Sequence, residues 1–189
     1  MANAHNTGFR PLKTLSGGDV PVLRFQVAAA SGTAMFVGDL VSQVNTGTVT
    51  PSTAADGCKV VGVVVGLRDS NGVPVGSPGS SVSTKYLTVS TAGYADVALA
   101  LPDALFVANS GSSALAQTDV FDSCDHVATA GDTTTAKSGH VLNAGTLTTD
   151  QCTIVDLYDA PNNVWGTYVD VVVRFSESMW YCNALSVAS

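Results

Sequence analysis

Short runs of the chain alternate apolar and polar residues. In "VPVLRFQVA" (20–28), Leu23, Phe25 and Val27 fall on one side and Arg24 and Gln26 on the other, as in a half-buried strand. "YVDVVVRF" (168–175) repeats the pattern, with Val169, Val171, Val173 and Phe175 set against Asp170 and Arg174. "KVVGVVVGL" (59–67) is almost unbroken apolar sequence, which predicts a strand covered on both faces. "KYLTVS" and "YADVALA" alternate on either side of "TAG", predicting a hairpin. "CTIVDLY" (152–158) precedes "DAPNNVWG", whose Pro and two Asn suit a hairpin connection into 168–175.

Breaks in the pattern set the remaining boundaries. Gly38-Asp39 inside "MFVGDLVSQV" predicts a bulge or tight corner. In "VALALPDALFVAN" (97–109), Pro102 presets a turn and Asp103 faces water at its next position, dividing two buried segments with Phe106 in the core. "SNGVPVGSPGSSVS" (70–83) reads as a flexible insert, and "NSGSSA" and "ATAGDTTTAKSGH" as loops. Residues 1–19 hold Gly8, Pro11, Gly17 and Gly18 without periodicity, which predicts an extended N-terminal arm ahead of a β-rich domain over 20–189. The expected fold is all-β, a single β-barrel or β-sandwich of about 8–10 short strands.

Composition strengthens the all-β reading. Val and Thr are abundant, whereas Glu177 is the only glutamate and Lys, Arg and Gln are scarce, so few good helix formers remain. With 46% hydrophobic and 12% charged residues the chain has the material for a core. A net charge of −7 and eight scattered basic residues argue against a nucleic-acid footprint. The N-terminus has no apolar run resembling a secretory signal, and no stretch is long and apolar enough for a membrane helix, so a soluble protein made in a cytoplasm is expected. Cys58, Cys124, Cys152 and Cys182 lie far apart, and reduced buried thiols are the expectation.

Candidate chemistry changes little. His5, His126 and His140 lie in or beside segments read as arm or loop, and Ser138 in "KSGH" has no nucleophile-elbow context. "DSCDH" offers Asp122, Cys124, Asp125 and His126, a local set that cannot close a metal site without distant partners. Most aspartates fall in turns or on outward strand faces, and "SGG" (16–18) lacks the Lys and helix of a phosphate loop. No cofactor and no enzymatic activity are expected; the chain reads as a structural or binding module.

The order of these elements resembles the β-rich capsid decoration (cement) proteins of tailed bacteriophages. "GFRPLK" ahead of "VPVLRFQVA", the apolar–Gly–Asp element in "FVGDLVSQV", the Val/Gly strand "VVGVVVGL", "LPDALFVAN", the loop "TAGDTTTAKSGHVLN" and the closing hairpin of 151–181 follow that family's sequence of features. The resemblance implies a virion structural protein on the outer surface of an icosahedral capsid. It would be assembled in the host cytoplasm and form a homotrimer that stabilises contacts between major capsid subunits. In the arm, Phe9, Pro11 and Leu12 are then candidates to bury against the shell, with Arg10 and Lys13 pairing acidic shell groups. The alternatives are a tail or adhesin module of a virion, or a non-catalytic carbohydrate-binding β-sandwich using Trp165, Trp180 and Tyr181 as stacking faces.

Overall fold

The computed structural model describes residues 8–29, 31–53, 59–145 and 151–181. Its strands are β1 (Arg10–Thr14), β2 (Val22–Val27), β3 (Leu40–Gln43), β4 (Val49–Pro51), β5 (Val60–Asp69), β6 (Gly93–Leu99), β7 (Ala104–Asn109), β8 (Ser123–Cys124), β9 (His126–Val127), β10 (Val141–Leu142), β11 (Cys152–Leu157) and β12 (Asp170–Phe175). They form two five-stranded antiparallel sheets, ordered β1-β7-β12-β11-β8 and β2-β6-β5-β3-β4, and a two-stranded ribbon, β9–β10. The all-β class is as predicted. Neither large sheet closes into a barrel, so of the two architectures expected the open-sheet one is formed. Twelve strands are present among the described residues, more than the pattern predicts, because β4 and β8–β10 are only two or three residues long.

Apolar burial explains both sheets. Between them, Phe106 and Ala108 of β7, Ile154 of β11 and Val171, Val173 and Phe175 of β12 pack against Leu40, Val60, Val63 and Ala98 of the second sheet. The second sheet also covers another core, made by Val41, Val61, Val64, Leu67, Val97 and Leu99 with Met35 and Leu87 from its connecting segments. β5 therefore has apolar partners on both faces, which is why its sequence does not alternate. Within it, a Cβ at Gly62 would lie 2.0 Å from the Ala98 carbonyl oxygen, so glycine is what lets β5 and β6 approach.

The chain crosses between the sheets at the predicted corner. Ala104 N–H donates to Leu101 O at 3.1 Å and Leu15 N–H to Asp103 O at 2.8 Å. Pro102 is exposed and Asp103 half-buried, while Phe106 is fully buried, so Asp103 marks a turn.

Two local expectations give way to longer-range contacts. "KYLTVS" does not form a hairpin with β6; Leu87 exchanges both backbone hydrogen bonds with Met35, at 2.9 and 3.0 Å. Both side chains are buried in the second core, a gain the local turn cannot supply. The 70–83 segment is fixed by Asp69 and is not a free insert. One carboxylate oxygen accepts the N–H groups of Asn71 and Val73, and the other accepts Ser80 Oγ–H and both the N–H and Oγ–H of Ser81.

These bonds, led by the Ser81 N–H, hold the Asp69 pKa down at about 2 from 3.8. A depressed carboxylate stabilises the fold above its unfolded value and loses that contribution as pH falls toward about 2. Asp69→Asn removes the charge and part of the acceptor capacity. The 70–83 segment should then become the first site of limited proteolysis at neutral pH, read by mass spectrometry, and an unchanged cleavage map would refute this role.

Candidate functional site

Three segments far apart in sequence meet at the start of β3. Phe9 N–H donates to Gly38 O at 2.8 Å, and Gly8 takes a left-handed φ of 69° to bring it there. A Cβ on Gly8 would sit 2.4 Å from Gly38 O and 2.6 Å from the Ser138 side chain. The Gly38-Asp39 element is a tight corner: Asp39 N–H donates to Phe36 O at 3.2 Å, and Phe36 N–H returns to Asp39 Oδ2 at 2.8 Å. From the third segment, His140 Nδ1 accepts Leu40 N–H at 3.2 Å, and Ser138 Oγ accepts His140 N–H at 3.1 Å while also reaching the Asp39 carboxylate.

A second histidine extends the junction. His126 stacks on His140 with ring centroids 5.1 Å apart. Its Nδ1 meets Gln151 Oε1 and its Nε2 meets Ser52 O at 3.0 Å. Asp39, Ser138, His126 and His140 are all buried, contrary to the loop reading of the two histidines. The physical reason is that most of their polar atoms have backbone or side-chain partners, several of them from distant strands, which offsets much of the cost of desolvation. Burial drives both titrating members of the Asp39–His140 pair toward neutrality. It raises the Asp39 pKa to about 6 and, with the neighbouring His126, lowers that of His140 to about 3.

This arrangement does not form a nucleophilic relay. Ser138 is 1% exposed and its hydroxyl is shared between Asp39 and a backbone amide, while the lone pair of neutral His140 lies on Nδ1 and is taken by Leu40 N–H, so the ring offers Ser138 no free base nitrogen. Both His126 nitrogens are engaged, so neither is a free ligand. Cys124 of "DSCDH" points into the inter-sheet core, and among the described residues no three His, Cys, Asp or Glu side chains group as a metal set.

Cys124 and Cys152 stand directly opposite one another on β8 and β11, both free and buried. Burial pushes the Cys124 thiol up to about 12 and Cys152 well above its ordinary value. Since the thiolate is the nucleophile, peptides carrying these two residues should remain unalkylated by iodoacetamide at pH 8 and label fully in denaturant. Rapid native labelling would contradict their placement. Cys58 and Cys182 lie outside the described residues.

The candidate capsid-contact residues are divided between core and edge. Residues 1–7 of the segment read as an arm lie outside the described residues, whereas Arg10–Thr14 pair with β7 as an edge strand. Phe9 is 1% exposed and packs on Phe175 at 5.7 Å, so its ring is committed to the core. Arg10 is ion-paired with Asp170 at 2.8 Å and lies over the Tyr158 ring. Pro11 and Lys13 are exposed, and half-buried Leu12 sits at a bulge between them. Proline, a bulge and charge together blunt a sheet edge against unintended pairing.

The aromatic candidates are partly committed as well. Trp180 packs against both cores and donates Nε1–H to Val61 O at 2.8 Å; Trp165 packs on the inter-sheet core and donates to Gln117 Oε1 at 3.1 Å. Sequence reasoning missed the Asp39–Ser138–His126–His140 junction. The only local signal was the Gly before Asp39 and the Gly between Ser138 and His140. No family model, no curated protein and no solved structure matches the chain.

Proposed function

We propose that this chain is a decoration protein of a tailed-phage capsid, binding the outer shell and bridging major capsid subunits, as a homotrimer and without catalysis. The observation that carries this reading is the junction at β3. "GF" (8–9), "GD" (38–39) and "SGH" (138–140) come from three of the elements whose order resembles that family, and here they are joined by hydrogen bonds. The all-β construction from two large antiparallel sheets supports the same reading. Many weak contacts repeated over one lattice add through effective concentration, so each copy needs only a modest interface.

On this reading Pro11 and Lys13 are the shell-facing candidates left accessible on β1, because Phe9 is buried and Arg10 is paired. Purified chain mixed with undecorated heads should occupy equivalent lattice positions in cryo-electron microscopy. Absence from heads, or presence only on tails, would overturn the reading in favour of another virion component. Lys13→Glu should lower occupancy without changing the fold, and unchanged occupancy would remove β1 from the contact while leaving the rest intact.

A further inference from the structure

We propose that the cavity beside the Phe36–Leu40 corner is a hydroxyl-binding site whose resident ligand is water, accepting from His140 Nε2–H and donating to Asp39 Oδ1. The cavity, of about 90 Å³, lies between that corner, the end of β4 and residues 128–131, and Thr33, Ser52, Thr53 and Thr129 contribute to its wall with Asp39 and His140. Asp39 is 2% exposed, and its Oδ1 is the one buried side-chain polar atom among the described residues with no partner in the protein. An orphaned buried carboxylate oxygen is costly, and the residue that carries this one borders a cavity able to hold the missing donor.

The His140 ring fixes which ligand chemistry fits. Its Nδ1 accepts Leu40 N–H, so that nitrogen carries the lone pair and the neutral ring holds its proton on Nε2. Nε2 lies 3.8 Å from Asp39 Oδ1, too far for a direct hydrogen bond but close enough for one oxygen to reach both. A metal ion or an ammonium group would meet the Nε2 proton instead of a lone pair, and an anion would meet the carboxylate. A hydroxyl group both accepts and donates, so it satisfies both walls. At about 30 Å³ per water the space admits two or three molecules, enough for the bridging one. The bridge would complete the polar junction that ties the 128–140 segment to β3, and it holds independently of the capsid reading.

High-resolution diffraction from crystals of the full chain at pH 7 tests the site. A solvent oxygen within about 3.2 Å of both Asp39 Oδ1 and His140 Nε2 is expected. A dry cavity, or a ring moved into direct contact with Asp39, would overturn the proposal. Because a solvent peak alone does not separate water from a cation, nitrogen-15 spectra of the His140 ring supply the second arm. They should show the proton on Nε2 and no response to excess zinc chloride or ammonium chloride. A proton on Nδ1, or a shift on adding either salt, would assign the cavity to a cation instead.

Discussion

Replacing Phe9 with alanine should lower the free energy of unfolding by about 3–5 kcal/mol, the range for deleting a buried aromatic side chain. The ring is 1% exposed and lies between the aromatic pair of the inter-sheet core and the buried histidines, 5.7 Å from Phe175 and 6.2 Å from His126. Phe175 in turn contacts Phe106 at 4.9 Å, so the cavity opens in the middle of the contact between the sheets. Two neighbours provide the contrast: Pro11→Ala and Lys13→Ala, both on the exposed edge of β1, should change stability by no more than about 0.5 kcal/mol. Urea unfolding of the three variants separates core from arm. A Phe9→Ala loss below about 1 kcal/mol would mean that the ring is not part of the core.

Phe9 also shows where local pattern stops being informative. Alternation located β2 and β12, and Val169, Val171, Val173 and Phe175 all reach the inter-sheet core as their period demands. The unbroken run in β5 was legible for the same reason, since both of its faces have apolar neighbours. A single aromatic residue flanked by Gly8 and Arg10 has no period, and its burial depends on contacts with Gly38 and Phe175 far along the chain.

The junction was hidden by the same limit. "ATAGDTTTAKSGH" is polar enough to read as a solvated loop, yet its His140 answers the amide of Leu40, and His126 just ahead of it meets the carbonyl of Ser52. Polar residues are counted as exposed by composition and as buried only when partners are known, and those partners come from other strands. The Asp69 loop is the milder case. Its Gly, Ser and Pro content predicts turns correctly, but five donors converging on one carboxylate fix those turns in place.

Asp39→Asn should make the protein markedly more sensitive to acid, through a compensation built into the junction. His140 has its pKa lowered from 6.5 to about 3, so between these values the unfolded chain binds a proton that the folded chain refuses, and stability falls as pH falls. Asp39 has its pKa raised from 3.8 to about 6, so over most of the same window the folded chain binds the extra proton, and stability rises as pH falls. From pH 7 to pH 4 the first effect withdraws about 3 kcal/mol and the second returns about 2, leaving a net loss of about 1 from the pair. The amide that replaces the carboxyl cannot take up the proton, so the variant should lose about 2 kcal/mol more than the parent over the same interval, read as the change in urea midpoint at each pH. Acid effects from other groups, Asp69 among them, are common to both proteins and cancel in the comparison. Equal pH dependence in parent and variant would mean that Asp39 ionises as an ordinary surface carboxylate, and the buried pair at the start of β3 would lose its electrostatic basis.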